Sequence, residues 1–439
     1  MYLKREIDSE LELWMQTNNR KPLLLRGARQ VGKSSAVRQL GTKFKYFIEL
    51  NFDENPELVE IFKGSFNPVA LIEKISVYTQ IPIIEGETLL FLDEIQSCIP
   101  AISSLRYFYE KMPNLHVIAA GSLIEFALSE VPSFGVGRVR SLFVYPFSFY
   151  EFLVANNEDM LLEVLKKAIP ENEFPELFHK KTIAYFKKFL IIGGMPEAVK
   201  TYIQNGNMLE VQRVLDDLVV SIEADFTKYK NNISSNRIRE VFEAIIQQMG
   251  NKFSYSYPNA TMNNVQIKEI LELLRLSGLI YFVTHSASNG IPLGAEINNK
   301  KRKILIFDTG IFQRILGLDI AKLLIENDFT TINKGNIAEL YTGLELLKSE
   351  SCYLKTDLNY WQREVKNSQA EVDYVIQKQE LIIPIEVKSG TKGAMQSIYK
   401  FMEEKQSKFG IRTSLENFGI LDKIKIIPLY AISNLRKMK

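Results

Sequence analysis

The stretch Gly27-Ala28-Arg29-Gln30-Val31-Gly32-Lys33-Ser34 decides how this chain is read. It fits G-x-x-x-x-G-K-[ST], a loop whose main-chain N–H groups wrap phosphate oxygens. The run Pro22-Leu23-Leu24-Leu25-Arg26 before it reads as a short buried strand, and Ser34 to Leu40 after it reads as a helix. Strand, loop and helix are the context that the motif needs. Gly27 and Gly32 let the backbone curl so that its N–H groups point inward. In such a loop Lys33 reaches the outer phosphates and the Ser34 hydroxyl can ligate Mg²⁺. The candidate nucleotide-binding set is therefore Gly27, Ala28, Arg29, Gln30, Val31, Gly32, Lys33, Ser34 and Ser35.

Working outward, residues 44–52 read as a second strand and Thr88-Leu89-Leu90-Phe91-Leu92-Asp93-Glu94 as a third. The third is an apolar strand ending in two carboxylates, the form of a Walker B strand. A buried carboxylate needs a cation or a hydrogen-bonding partner. Asp93 is assigned to Mg²⁺ and the nucleotide, and Glu94 to polarising an attacking water. A fourth strand, Leu115 to Ala120, runs into Gly121-Ser122. Two readings of Ser122 stand: a sensor of the γ-phosphate, or an ordinary helix cap. The segment Gly135 to Arg140 leads into a last strand, Leu142 to Phe147. An arginine there either reaches a neighbouring subunit's nucleotide or is a solvated loop residue; Arg138 is preferred over Arg140.

These residues carry a resemblance. Gly27–Ser34, Leu90–Gln96, Ala120–Ser122, Gly137-Arg138, Tyr145-Pro146-Phe147-Ser148-Phe149-Tyr150-Glu151-Phe152 and Gly193-Gly194-Met195-Pro196-Glu197 resemble the prokaryotic AAA-type ATPases that carry an uncharacterised C-terminal domain. The likeness spans essentially the whole chain. It implies ATP as the nucleotide, and no guanine-reading N-K-x-D motif is obvious. The Pro-Phe-Ser-Phe and Gly-Gly-Met-Pro segments mark the family without an evident chemical role. The second is physically a turn between helices.

Composition narrows the classes. The 439 residues are 46% hydrophobic and 24% charged with net charge +2, so no global polyelectrolyte character announces a nucleic-acid partner. Two cysteines, Cys98 and Cys352, lie far apart and form no disulfide framework or metal-ligand spacing. No apolar run reaches the length of a bilayer span, and the first residues lack the apolar core of a secretory signal, so a cytoplasmic protein without a membrane partner is expected.

Residues 151–232 read as helical, with Phe186, Phe189, Leu190 and Ile191 in one stripe. Asn236–Met249 reads as an amphipathic helix and Phe253-Ser254-Tyr255 as a connector. Thr261–Asn264 is read as the cap of a second helix, Val265–Ser277, and Gly278–Val283 as the strand of a wing. Helix, turn, helix and strand are the order of a winged helix, which the resemblance also leads one to expect. Asn263, Asn264, Gln266 and Lys268 would face DNA. Glu269 and Glu272 on the same helix oppose a phosphate surface, so a docking module that never touches DNA stands as the alternative.

The last third carries acids on alternating strands. Glu371–Ile376 and Leu381–Lys388 form a hairpin in which Glu386 and Lys388 share a face that Asp373 can approach. Two carboxylates and a lysine are what metal-assisted phosphodiester cleavage requires. The pattern is similar to the PD-(D/E)xK nuclease signature without its Pro-Asp dipeptide. Glu339, on a helix over 336–341, is the matching helical acid, and Gln377 is a further candidate neighbour. Asp373 and Glu386 are the metal-ligand candidates; Lys388 and Glu339 complete the catalytic set. The run Lys300-Lys301-Arg302-Lys303 is either a phosphate-facing patch or a solvated hairpin tip.

The expected architecture is an α/β protein in three parts. These are a P-loop AAA-type parallel-sheet domain over 1–155, a helical and winged-helix domain over 156–290, and a restriction-endonuclease-like α/β domain over 291–439. The expected function is Mg²⁺-dependent ATP hydrolysis coupled to DNA binding or processing, possible in a homo-oligomer. Two other readings remain open: an ATP-gated metal-dependent DNA endonuclease, and a nucleotide-switched regulatory protein on an inactive nuclease-like scaffold.

Overall fold

The computed structural model describes the chain except residues 65, 131–136, 173, 230–232, 257–261, 318–333, 366–369, 391–394 and 437–439. The described residues form two compact units. One comprises Met1–Pro146, Leu276–Gly278 and Ser351–Lys355; the other comprises Phe147–Arg275, Leu279–Glu350 and Thr356–Lys439.

The first unit is built on strands β1 (Leu23–Arg26), β2 (Tyr46–Asn51), β3 (Thr88–Asp93), β4 (His116–Ala120) and β5 (Arg140–Phe143). They lie in the order β2-β3-β4-β1-β5, and every pairing is parallel. All residues of β3 and β4 are buried, which is why these strands read as apolar runs and not as alternations. Leu24, Leu90, Leu92 and Val117 pack against helices Pro68–Thr79 and Ile99–Lys111 through Leu71, Ile75, Leu105 and Phe108. The alternate residues Leu23, Leu25, Phe91 and Ile118 are equally buried. The last strand is shorter and earlier than the expected 142–147. At this edge the Phe143 N–H donates to the Cys352 carbonyl at 2.7 Å.

The second unit holds a mixed sheet of β6 (Ile280–Ser286), β7 (Ile297–Ile306), β8 (Leu358–Gln362), β9 (Glu371–Lys378), β10 (Leu381–Val387), β11 (Gly410–Ser414), β12 (Gly419–Leu421) and β13 (Ile424–Pro428). Its order is β12-β13-β11-β10-β9-β8-β6-β7. The expected boundary at 290/291 therefore does not divide the structure. β6 lies on the winged-helix side of that boundary, yet it pairs antiparallel with β7 and parallel with β8, making one continuous sheet. The boundary at 155 also moves, because the segment from Phe147 onward packs in the second unit.

The two helices ahead of β6 form as the pattern requires, at Ser235–Gln247 and Asn264–Leu276. Their apolar stripes, Ile238, Val241, Phe242 and Ile245 and then Ile267, Ile270, Leu271 and Leu274, are buried. Thr261 of the expected cap lies outside the described residues. Asn263 does the capping, its Oδ1 accepting the N–H groups of Val265 at 3.0 Å and Gln266 at 2.9 Å. The expected stripe on helix Glu176–Ile192 is also buried; Phe186 and Phe189 pack edge-on against Tyr341.

The two segments without an evident chemical role meet here. Gly193 ends the helix at φ 75°, and the Gly194 N–H donates to Asp308 Oδ2 at 2.6 Å. The Gly194 carbonyl accepts the Phe147 N–H at 2.7 Å. Asp308 is buried and also caps helix Thr309–Ile315, accepting the Ile311 N–H at 3.0 Å. Ser148 and Glu151 form a reciprocal cap next to Phe147. A Cβ on Gly193 would lie 2.2 Å from Asp308 Oδ1. Gly193→Ala is therefore expected to destabilise the second unit by about 3 kcal/mol, combining a left-handed backbone with overpacking. Chemical denaturation of the variant against the parent measures this, and an unchanged midpoint would refute the described packing.

Candidate active site

The loop between β1 and helix Lys33–Gly41 has the curl that its glycines allow. Gly27 has φ 143°, Gln30 φ 62° and Gly32 φ 94°. A Cβ on Gly27 would lie 2.1 Å from the Val144 carbonyl oxygen, so only glycine lets β1 turn this close to the end of β5. Arg5 braces the loop from outside: its Nη1 donates to the Val31 carbonyl at 3.0 Å and its Nη2 to the Tyr145 carbonyl at 2.8 Å. Gly278 approaches from another direction, where a Cβ would meet the Ala28 nitrogen at 2.9 Å.

Within the loop, buried Lys33 donates from Nζ to the carbonyls of Ala28 at 2.7 Å and Gly27 at 3.0 Å. Burial lowers its pKa to about 8, against the opposing pull of Glu94 and Asp93. Ser34 Oγ donates to Asp93 Oδ1 at 3.0 Å, joining the helix start to the end of β3. Asp93 is 4% exposed, and burial raises its pKa. Arg38, one turn beyond Ser34, clasps Glu49 with two nitrogens and lies 4.0 Å from Asp93 Oδ2. Arg29, Gln30 and Ser35 are exposed, while Ala28 and Val31 are buried.

Glu94 follows in a left-handed conformation, φ 48°. Its Oε2 accepts Gln96 Nε2 at 2.7 Å and faces Ser122 Oγ at 3.5 Å. Ser122 is thus brought to the second acid of the pair. Gln96 was not singled out from sequence; its position two residues after the acid pair was the available signal. Arg26, also missed, makes a two-bond ion pair with Glu125 at 2.6 Å immediately before Gly27. Arg138 is half-exposed and ion-paired with Glu110. Gly135 and Val136 lie outside the described residues.

These side chains suit a triphosphate and Mg²⁺. The loop N–H groups and Lys33 would take the phosphates, and the Ser34 hydroxyl and Asp93 carboxylate are hard oxygen donors of the kind Mg²⁺ selects.

The second constellation differs from its expected form. Glu386 Oε1 accepts Lys388 Nζ at 2.6 Å, while its buried Oε2 has no hydrogen-bond partner. Asp373 Oδ2 accepts the Val387 N–H at 2.8 Å. Burial first, then the neighbouring Asp373 charge, raises the Glu386 pKa to about 7; burial likewise raises Glu339 to about 7. A second cation among these acids is Lys303, which the sequence put in a surface run. Its side chain is only 3% exposed, and its Nζ lies 2.6 Å from Glu371 Oε1, 2.8 Å from Glu339 Oε1 and 3.8 Å from Asp373 Oδ1. No cluster of three or more His, Cys, Asp or Glu side chains able to hold a metal ion occurs among the described residues. The Lys303 ammonium, rather than an open set of carboxylates, is what meets these acids. Gln377 turns away from the acids and instead accepts the Leu293 N–H at 2.9 Å.

Residues 19–153 match the family model of the AAA domain. The first unit is thus a P-loop domain of the AAA type. Residues 183–322 match a domain of unknown function (DUF8612), and residues 334–432 match another (DUF4143). No curated protein matches the chain. Among solved structures, a Walker-type ATPase of Pyrococcus abyssi is similar at 17% identity, covering 72% of this chain and 96% of its own, with a TM-score of 0.46. The ORC1 protein of Aeropyrum pernix, solved in complex with DNA, is similar at 13% identity, covering 73% and 92%, with a TM-score of 0.23. No helix among the described residues is long and apolar enough to cross a membrane.

Gly27→Ala is expected to force the loop away from Val144 and weaken binding of a fluorescent ATP analogue by about tenfold or more, roughly 1.4 kcal/mol. Fluorescence titration measures the affinity, with circular dichroism as the check on folding. Unchanged affinity in a folded variant would contradict the tight approach.

Proposed function

We propose that the chain binds ATP with Mg²⁺, hydrolyses it, and couples the cycle to DNA through the second unit. The observation that carries the first part is the Ser34–Asp93 hydrogen bond, which unites the phosphate loop with the acid strand. In this reading the loop N–H groups and Lys33 take the phosphates. A lysine held by two neutral carbonyls gains by moving to phosphate oxygens, because charge-assisted hydrogen bonds are roughly twice as strong. Ser34 and Asp93 hold Mg²⁺, which when bound neutralises charge developing on the phosphates. Glu94, oriented by Gln96 and watched by Ser122, takes the proton of the attacking water. Arg138, held by Glu110 on the surface, is assigned to the phosphates of a neighbouring copy.

The coupling to DNA is supported by two features. Gly278 touches the loop at Ala28 and lies two residues past the end of helix Asn264–Leu276, so a loop movement has a covalent route to that helix. The order helix, helix, β6–β7 hairpin is that of a winged helix, with Lys300 exposed and Lys301 paired to Glu364 on the hairpin. The likeness of the helix Lys334–Lys348, the β8–β9–β10 meander and the following helix and strand to a nuclease-like scaffold belongs to the same proposal.

Glu94→Gln is expected to keep ATP affinity and lower turnover by roughly 100-fold or more, and Lys33→Ala to lose both. Phosphate release and nucleotide titration separate the two; turnover at the parental rate in either variant would remove the assignment. For DNA, the double variant Lys300→Glu, Lys301→Glu is expected to weaken duplex binding in fluorescence anisotropy and to flatten its salt dependence by about two charges. Parental affinity in that variant, or no DNA binding by the parent, would sink the coupling.

A further inference from the structure

We propose that the Lys303 ammonium is the resident cation of the carboxylate cluster in the second unit, so that this cluster works as a built-in ion network and holds no divalent metal. The chemistry of the side chains points this way. An ammonium carries three donors and no acceptor, and Lys303 directs them at acids from two separate elements. Glu371 and Asp373 stand two residues apart on β9, on the same face of the strand. Glu339 comes from helix Lys334–Lys348 and meets the same nitrogen at 2.8 Å. The Tyr360 ring lies 5.4 Å from Nζ and adds a fourth wall suited to a cation.

Asp373 and Glu386 are partly committed as well, with Glu386 Oε2 left unpaired. Asp373 uses Oδ2 on the Val387 N–H and turns Oδ1 toward Lys303; Glu386 uses Oε1 on Lys388. A divalent ion shared by Asp373 and Glu386 would stand beside an ammonium that is 3% exposed and has no room to leave without abandoning Glu339 and Glu371. A divalent ion placed beside this buried ammonium would be repelled by it. Lys303 is delivered by β7, the last strand of the sheet, whose pairing with β6 puts it opposite Val283. The cation is therefore supplied by the fold itself.

This inference is independent of the ATPase reading, which concerns the other unit. The test uses the nucleotide-free full chain and Mn²⁺ as the probe, followed by calorimetry and by the paramagnetic signal of free Mn²⁺. Any weak uptake at Ser34 and Asp93 is common to all variants and cancels in the comparison. The parent and Asp373→Asn are expected to take up Mn²⁺ alike. Lys303→Met is expected to gain a Mn²⁺ site at least about tenfold tighter than anything in the parent, and the double variant Lys303→Met, Asp373→Asn to lose it. A stoichiometric Mn²⁺ site in the parent that vanishes in Asp373→Asn would overturn the proposal. So would a folded Lys303→Met that gains none. If Lys303→Met does not fold, the comparison of the parent with Asp373→Asn decides alone.

Discussion

The hydrogen bond from Ser34 Oγ to Asp93 Oδ1 exists because β1 and β3 both run parallel to β4, which lies between them. Parallel pairing puts the carboxyl ends of all these strands along one edge of the sheet. The glycine loop leaves from one of those ends, the acid pair sits at another, and Ser122 follows the one between. One register therefore assembles the candidate nucleotide site from segments that are far apart in the chain. The burial of β3 and β4 on both faces makes that register costly to change, since a slip of one residue would exchange every buried position for its neighbour.

The second unit solves a different problem, which is the accommodation of buried charge. Asp308 is satisfied entirely by backbone N–H groups. Glu345, fully buried, accepts from the Phe149 N–H, Ser433 and Lys348. Lys303 faces three carboxylates. Removing one partner from such a group leaves a desolvated charge behind, and that loss exceeds what the bond itself contributes. This explains why residues so far apart in sequence act as single structural pieces.

What could be read from the sequence was whatever chemistry keeps its residues adjacent. The phosphate loop, the acid pair and the apolar strands are local patterns, and all but the last strand fell where their spacing indicated. Two kinds of feature escaped. Arg26 and Arg5 act through partners distant in the chain, and nothing in their own neighbourhood marks them; Gln96 acts on Glu94, two residues before it. Lys303 was actively misleading, because four basic residues in a row suggest a wetted tip. Alternation along β7 sends Lys303 inward, and the acids that receive it lie on later elements. The expected domain boundary failed for the same reason, since the pairing of β6 with β8 spans some seventy positions that hold no local signal.

The Phe143–Cys352 hydrogen bond has a consequence for how the molecule can be dissected. The chain leaves the first unit after Pro146 and returns twice to complete it, and the second return covers the outer edge of β5. A fragment ending at 146 would leave the polar groups of that strand bare, an invitation to stray pairing between copies. The nucleotide half of this protein is not a detachable cassette: it is finished by peptide that is made only after most of the other half has been synthesised.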